Sequence, residues 1–130
     1  MFRAPFPILY VADVERSARF YEDCFDFAPR YRYPAAGSGE ASFVVLRLEE
    51  GTIGLASLEA AESSHGEPVG RGPVSLELCF YADDVDAAAE RLRAAGAHEL
   101  RPPETMPWGE VRCYFADPDG NPLQICASVS

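Results

Sequence analysis

Residues 111–126 read Val-Arg-Cys-Tyr-Phe-Ala-Asp-Pro-Asp-Gly-Asn-Pro-Leu-Gln-Ile-Cys, so that two apolar-rich runs flank the tetrapeptide Asp117–Gly120. Pro118 presets a φ angle that suits a turn, and Gly120 tolerates a positive φ angle. The two aspartates of the tetrapeptide can accept hydrogen bonds from nearby backbone N–H groups. The stretch therefore predicts a strand, a tight turn and a second strand.

The second strand of this hairpin carries a polar side chain among apolar ones. Alternation with period 2 places Leu123 and Ile125 on one face of the strand and Gln124 and Cys126 on the other. A glutamine in a strand that reads as buried needs a partner for its amide, or a cavity. The sequence therefore directs the search for a functional site to the face above Gln124.

Length and charge limit the classes of protein. The chain has 130 residues, 48% of them hydrophobic, and a net charge of -10. We expect one folded domain, with neither a signal peptide nor a membrane span, in the cytoplasm.

An acidic protein repels phosphate, which argues against a nucleic-acid partner. All eleven basic residues are arginines, so chemistry through a lysine Schiff base is excluded.

The four cysteines show no metal or redox motif. Cys24, Cys79, Cys113 and Cys126 form neither a C-x-x-C pair nor a zinc spacing, and each lies in an apolar segment. We expect free thiols in the core or in a cavity wall.

The first half reads as a strand, a helix and three strands. Asp13 is a good N-cap, and apolar residues then recur with the spacing of an amphipathic helix. The strand that precedes it should begin at a sheet edge, because its prolines lack a donor. The predicted strands are 6–12, 27–33, 41–48 and 52–58.

The second half repeats this order. The polar stretch 59–72 is expected to be a surface connection, and His65 within it a solvated residue. A strand over 73–81 precedes a helix that is capped by Asp84 and ended by Gly96. A short strand over 98–103, in which His98 is structural, leads to the final hairpin.

An internal repeat relates the two halves. A shift of 71 residues lays Asp13-Val14 over Asp84-Val85. We expect an α+β fold of two βαβββ repeats, about 1–61 and 72–130, which are joined by a 62–71 loop and share one curved sheet. Phe6 and Glu77 are then equivalent positions, and so nearly are Gly54 and Gln124. If the halves pair about a pseudo-twofold axis, these four residues converge in one concavity.

Three segments together resemble the vicinal oxygen chelate superfamily, the glyoxalase, bleomycin-resistance and extradiol dioxygenase group. They are Val-Ala-Asp-Val-Glu-Arg-Ser-Ala-Arg-Phe-Tyr (11–21), Asp-Asp-Val-Asp-Ala-Ala-Ala-Glu-Arg-Leu (83–92) and Asp-Pro-Asp-Gly-Asn-Pro-Leu-Gln-Ile (117–125). The resemblance covers nearly the whole chain. It implies paired βαβββ modules, a cup-shaped mixed sheet and a homodimer.

The resemblance also identifies the positions at which metal-dependent members carry His, Gln or Glu ligands. In this chain those positions hold Phe6, Gly54, Glu77 and Gln124. Phe and Gly offer no ligating side chain, and two oxygens are too few for a tight Zn, Ni, Fe or Mn site. The sequence therefore predicts no cofactor, with Glu77 and Gln124 as weak candidates for a divalent metal.

A cup without a metal is still a pocket for a small molecule. Its predicted wall, with three residues near the rim, consists of Phe6, Ile8, Tyr10, Arg47, Glu77, Cys79, Trp108, Arg112, Tyr114 and Gln124.

Three of these residues have two interpretations each. Trp108 either plugs the core or stacks on a flat ligand. Arg47 lies either on the solvent face near a turn or at the cavity mouth. Glu77 either pairs with Arg47 or Arg112, or it binds a cationic ligand or acts as a general base.

Three functions fit these expectations. The first is a metal-free binding protein that sequesters an aromatic or cationic molecule, as bleomycin-binding relatives do in antibiotic resistance. The second is an enzyme, namely a lyase or isomerase with Glu77 as its base, or a dioxygenase-like metalloenzyme with a reduced ligand set. The third is a module that acts through its dimer surface. The sequence favours the first.

Overall fold

The computed structural model describes residues 1, 3–69, 72 and 76–127. The chain divides into two compact units, Met1–Gly72 and Pro73–Ser130. No helix in the described ranges has the length and apolar character needed to cross a membrane.

The first unit is a four-stranded mixed sheet with two helices. Its elements are β1 (Ile8–Val11), α1 (Val14–Phe25), β2 (Ala28–Tyr33), β3 (Phe43–Leu48), β4 (Gly51–Ser57) and α2 (Leu58–His65). The strand order is β1-β4-β3-β2. β1 pairs with β4 in parallel, and the other two pairs are antiparallel.

The second unit repeats this plan with one helix. Its elements are β5 (Leu78–Tyr81), α3 (Val85–Ala94), β6 (His98–Thr105), β7 (Val111–Ala116) and β8 (Pro122–Cys126). The strand order is β5-β8-β7-β6, with β5 and β8 parallel. Two βαβββ modules of an α+β fold are therefore confirmed. Each module forms its own four-stranded mixed sheet, whereas the repeat predicted one sheet shared by both.

The two long helices form where the capping residues and the apolar spacing predict them. The side chain of Asp13 accepts a hydrogen bond from the Arg16 amide at 3.0 Å, and the side chain of Asp84 accepts one from the Ala87 amide at the same distance. Each bond satisfies a donor that the first helical turn leaves unpaired. The apolar stripes face inward, and their buried members include Val14, Ala18 and Tyr21 on α1 and Val85, Ala89 and Leu92 on α3.

The first half of the stretch 59–72, which includes the start of the predicted 62–71 loop, is a helix and not a loop. Helix α2 occupies Leu58–His65, so His65 is helical. The Ser57 side chain caps the helix by accepting from the Ala60 amide at 3.1 Å, and Gly66 ends it with a φ angle of 81°. Only Ala61 is buried among its residues, so the helix has no apolar stripe that the sequence pattern could reveal.

Strand boundaries differ from the predictions at several ends. β1 begins at Ile8, after the two prolines, and β6 extends through Pro103 to Thr105. β6 is the edge strand of its sheet and is irregular between Glu99 and Glu104, which is where a strand tolerates proline. The start of the strand predicted over 73–81 lies partly outside the described residues, and Leu76 and Glu77 precede β5.

The register of the parallel pairs confirms the equivalence that the repeat predicts. Ile8 is opposite Gly54 in the first sheet, and Cys79 is opposite Gln124 in the second. Ile8 and Cys79 are 71 residues apart, the shift that relates the two halves. Gly54 and Gln124 therefore occupy the same place in their respective sheets.

Glu15 on α1 is hydrogen-bonded to Arg32 on β2 and to the backbone amide of Ala41, and these bonds make a contribution to stability that depends on pH. Its carboxylate accepts from Arg32 at 2.5 Å and from the Ala41 amide at 3.1 Å. These two bonds hold the pKa of the Glu15 carboxyl below its usual range. Because the folded-state pKa is lowered, this contribution is present above about pH 4.5 and is lost as the pH falls through the folded-state value.

We therefore expect Glu15→Gln to lower the free energy of unfolding at pH 7 by less than about 1 kcal/mol, since the pair is partly exposed. The difference from the wild type should shrink towards zero in acid. Urea unfolding at a series of pH values from 7 down to 3 measures it. A difference that stays constant over this range would contradict the assignment.

Candidate functional site

Three polar side chains form a hydrogen-bonded network on one face of the second sheet. Tyr114 and Gln124 are cross-strand partners on β7 and β8. The Gln124 Nε2 atom donates to the Tyr114 hydroxyl at 2.9 Å and to Glu77 Oε1 at 3.2 Å. Glu77 and Gln124 therefore lie on the same side of the sheet, and the Gln124 amide has the partners that its position required.

Within the second unit, the pairing of Glu77 with Arg112 that the sequence offered is not present among the described residues. The Glu77 carboxylate instead accepts a hydrogen bond from the Gln124 amide. The Arg47 Nε atom donates to the backbone carbonyl of Glu49 at 2.7 Å, and the side chain is exposed near the β3–β4 turn. Arg47 thus lies near this turn in the first unit, and its position at a cavity mouth stays a prediction.

Arg112 lies over two aromatic rings. Its guanidinium carbon is 5.6 Å from the centroid of the Trp108 ring and 5.6 Å from that of Tyr114. Both distances are in the range of cation–π attraction. Trp108 is 61% exposed, so it does not fill the core of its unit. It is instead available as a stacking surface beside a half-buried arginine.

A cavity of about 280 Å³ adjoins this cluster within the second unit. Two arginines, one carboxylate and three less polar side chains line it, namely Arg101, Pro102, Glu104, Met106, Arg112 and Tyr114. Within the described part of the chain, the structure shows no ion pair between Arg101 or Arg112 and a carboxylate. Both guanidinium groups therefore keep donors for a ligand.

Four of the lining residues were missed by the sequence analysis. Arg101, Pro102 and Glu104 belong to β6, where Arg101 is opposite Tyr114 and Glu104 is opposite Arg112. This register depends on two irregularities in the pairing of β6 with β7, which simple alternation does not reveal. Met106 follows in the turn before β7.

The corresponding face of the first sheet is apolar. Phe6, Ile8 and Tyr10 are each 44% exposed. A Cβ atom added at Gly54 would lie 3.0 Å from Ile8 Cγ1 and 3.2 Å from Phe43 Cε1, so these two side chains cover the glycine. The Tyr10 hydroxyl is 3.4 Å from His65 Nε2, a neighbour that the sequence analysis did not predict. A role for Phe6, Ile8, Tyr10 and Arg47 in ligand binding stays a prediction.

A second cavity, of about 580 Å³, lies in the first unit beside the starts of α1 and α2. Its lining includes the carboxylates Asp13, Glu15, Glu40 and Glu59 and no aromatic ring. Asp13 and Glu15 already accept hydrogen bonds from the protein. This cavity is larger, but the cavity of the second unit combines aromatic area with unpaired donors, as small-molecule sites usually do.

A family model described as the Glyoxalase/Bleomycin resistance protein/Dioxygenase superfamily matches residues 4–125. The chain belongs to this superfamily. A search of curated protein sequences gave no match.

Solved structures of the superfamily share the fold. A glyoxalase-related enzyme from Fulvimarina pelagi is 29% identical, with a TM-score of 0.80 over 98% of this chain and 89% of that one. A family enzyme from Burkholderia phytofirmans PsJN is 22% identical, with a TM-score of 0.73 over 94% and 95%. Lactoylglutathione lyase from Agrobacterium tumefaciens is 21% identical, with a TM-score of 0.71 over 96% and 93%.

The residues at the metal-ligand positions of the superfamily do not fit a metal ion in this chain. Gly54 has no side chain and is covered by Phe43 and Ile8. The side chain of Phe6 is a hydrocarbon and offers no ligating atom. Glu77 and Gln124 are hydrogen-bonded to each other through the Gln124 Nε2 atom. One carboxylate and one amide are a poor donor set for a transition metal.

Proposed function

We propose that this protein binds a small aromatic molecule without the help of a metal ion, and that the cavity of the second unit is the binding site. One observation carries the proposal. The Arg112 guanidinium stacks over the Trp108 and Tyr114 rings at a cavity of about 280 Å³, with no carboxylate partner among the described residues. A flat ligand could add a further ring to this stack.

The charge around the cavity favours a ligand with an acidic group over a cationic ligand. Arg101 and Arg112 contribute two positive charges, while Glu104 is the one carboxylate in the lining that the structure describes. A guanidinium offers a planar fork of donors that matches a carboxylate. Of the two ligand classes that the sequence left open, the aromatic one is therefore retained and the cationic one is not.

The size of the cavity points to a compact ligand. Small-molecule sites usually occupy roughly 300–1,000 Å³, and this cavity of about 280 Å³ lies just below that range. A single aromatic ring with one acidic substituent fits such a space better than a large peptide-like antibiotic. The lyase or isomerase alternative gains no support of its own, because Glu77 is exposed and bound to the Gln124 amide.

The proposal can be tested by fluorescence, because Trp108 is the single tryptophan of the chain. Three nitroaromatic quenchers of matched size serve as probes: 4-nitrobenzoate, 4-nitrobenzylamine and 4-nitrobenzyl alcohol. We expect saturable quenching by 4-nitrobenzoate, with a Kd at least about tenfold lower than that of the amine, because one charge-assisted hydrogen bond contributes about 1.5–3 kcal/mol.

Two controls accompany the titration. Calorimetry on Trp108→Phe separates binding from collisional quenching, and pre-treatment of the protein with a strong chelator should leave the Kd unchanged. Quenching that rises linearly for all three probes without saturation would overturn the proposal. Loss of binding after chelation would overturn its metal-free part.

A further inference from the structure

Two cysteines lie side by side on neighbouring strands of the second sheet. Cys79 on β5 is opposite Gln124 on β8, and Cys126 is two residues further along β8. Two residues further along a strand face the same side. The two Sγ atoms are 3.6 Å apart and share a hydrogen bond. A disulfide bond is about 2.05 Å long, so the sulfur atoms need to approach by roughly 1.5 Å to form one.

The two thiols differ in their access to solvent. Cys79 is exposed, whereas Cys126 is buried with 2% of its surface accessible. A dissolved reagent can therefore reach Cys79, and Cys126 meets that reagent only through the Cys79 sulfur. This is the arrangement of an attacking thiol with a resolving thiol beside it.

The other two cysteines are buried. Burial raises the pKa of the Cys113 thiol to about 11, which leaves little thiolate at neutral pH. Cys113 is thus a matched control within the same sheet.

We propose that Cys79 and Cys126 are a reversible redox site, in which they form an intramolecular disulfide by exchange with a small disulfide such as glutathione disulfide. The Cys79 thiolate attacks one glutathione sulfur, and the first glutathione leaves as a thiolate that takes up a proton. The Cys126 sulfur then attacks the Cys79 sulfur, and the second glutathione leaves in the same way. The protein loses two hydrogens, and one glutathione disulfide becomes two glutathione molecules.

The experiment uses the full chain, fully reduced, with glutathione disulfide at pH 8 under native conditions, followed by intact-mass spectrometry and non-reducing peptide mapping. The wild type should lose two hydrogens and yield one linked peptide pair containing Cys79 and Cys126. Dithiothreitol should reverse this change. Cys113→Ser should behave like the wild type.

The single variants separate the two steps. Cys126→Ser should stop with one glutathione on Cys79, and Cys79→Ser should form no linked pair. Since Cys126 is buried, Cys126→Ala is made in parallel, and circular dichroism confirms folding of both variants. Wild-type protein that keeps a stable glutathione adduct without closing, or that links Cys79 to another chain or to Cys113, would overturn the proposal.

Discussion

Asp117→Ala should lower the free energy of unfolding by about 2–4 kcal/mol, because it removes the buried acceptor that closes the final hairpin. Asp117 is 5% exposed. Its Oδ1 atom accepts from the backbone amides of Asp119 and Asn121 at 2.9 and 2.8 Å, and its Oδ2 atom accepts from the Asn121 side chain at 2.8 Å. A buried donor that loses its partner costs roughly 1–3 kcal/mol.

The matched variant Asp117→Asn keeps one acceptor oxygen but turns an NH₂ group towards the Asn121 donor. We expect it to cost roughly 1–2 kcal/mol, less than the alanine variant. Asp84→Ala removes only an N-cap and should lower the free energy of unfolding by about 1 kcal/mol, so it serves as the reference for the two Asp117 variants. Guanidinium unfolding followed by circular dichroism measures all three. An alanine variant that costs no more than the N-cap variant would show that the Asp117 network does not stabilise the hairpin.

Arg112→Leu should weaken the binding of 4-nitrobenzoate by about 10- to 100-fold, because it removes a charge-assisted donor pair from the proposed site. Binding of the uncharged 4-nitrobenzyl alcohol should change by less than about threefold, since leucine retains apolar contact. Fluorescence titration with Trp108 gives both values. A loss that is equal for the two probes would assign Arg112 a purely structural role.

Two further variants sharpen this test. Arg112→Lys keeps the charge but loses the planar fork, so its Kd for 4-nitrobenzoate should lie between those of the wild type and Arg112→Leu. Arg19→Leu removes a charge from an exposed position on α1, and it should leave the Kd unchanged. If Arg19→Leu weakens binding as much as Arg112→Leu, the overall charge of the chain and not the site is responsible.

The parts of the fold that were predicted correctly depend on local chemistry. Asp13 and Asp84 cap their helices, and Gly120 adopts a φ angle of 86° in the final hairpin. These features are determined within a few residues, so the sequence pattern contains them. Helix α2 was missed because its residues bury almost nothing, and helix formation there depends on the Ser57 cap and not on an apolar stripe.

The candidate site was predicted only in part, for a different physical reason. The internal repeat directed attention to Glu77 and Gln124, but the hydrogen bond between them was not predicted, because Glu77 was expected to pair with an arginine. Arg101 and Glu104 were not predicted, because their positions depend on irregular pairing between β6 and β7. Contacts across strands depend on the register of the folded sheet, and this register cannot be derived from a single sequence.

The Phe43 ring above Gly54 has a practical consequence for protein engineering. The first carbon of a histidine introduced at position 54 would lie 3.0 Å from Ile8 Cγ1 and 3.2 Å from Phe43 Cε1, so both side chains would have to give way by a few tenths of an ångström. Smaller residues at positions 8 and 43 would relieve this crowding. A designer who seeks to convert this scaffold into a metalloenzyme should therefore vary the three positions together.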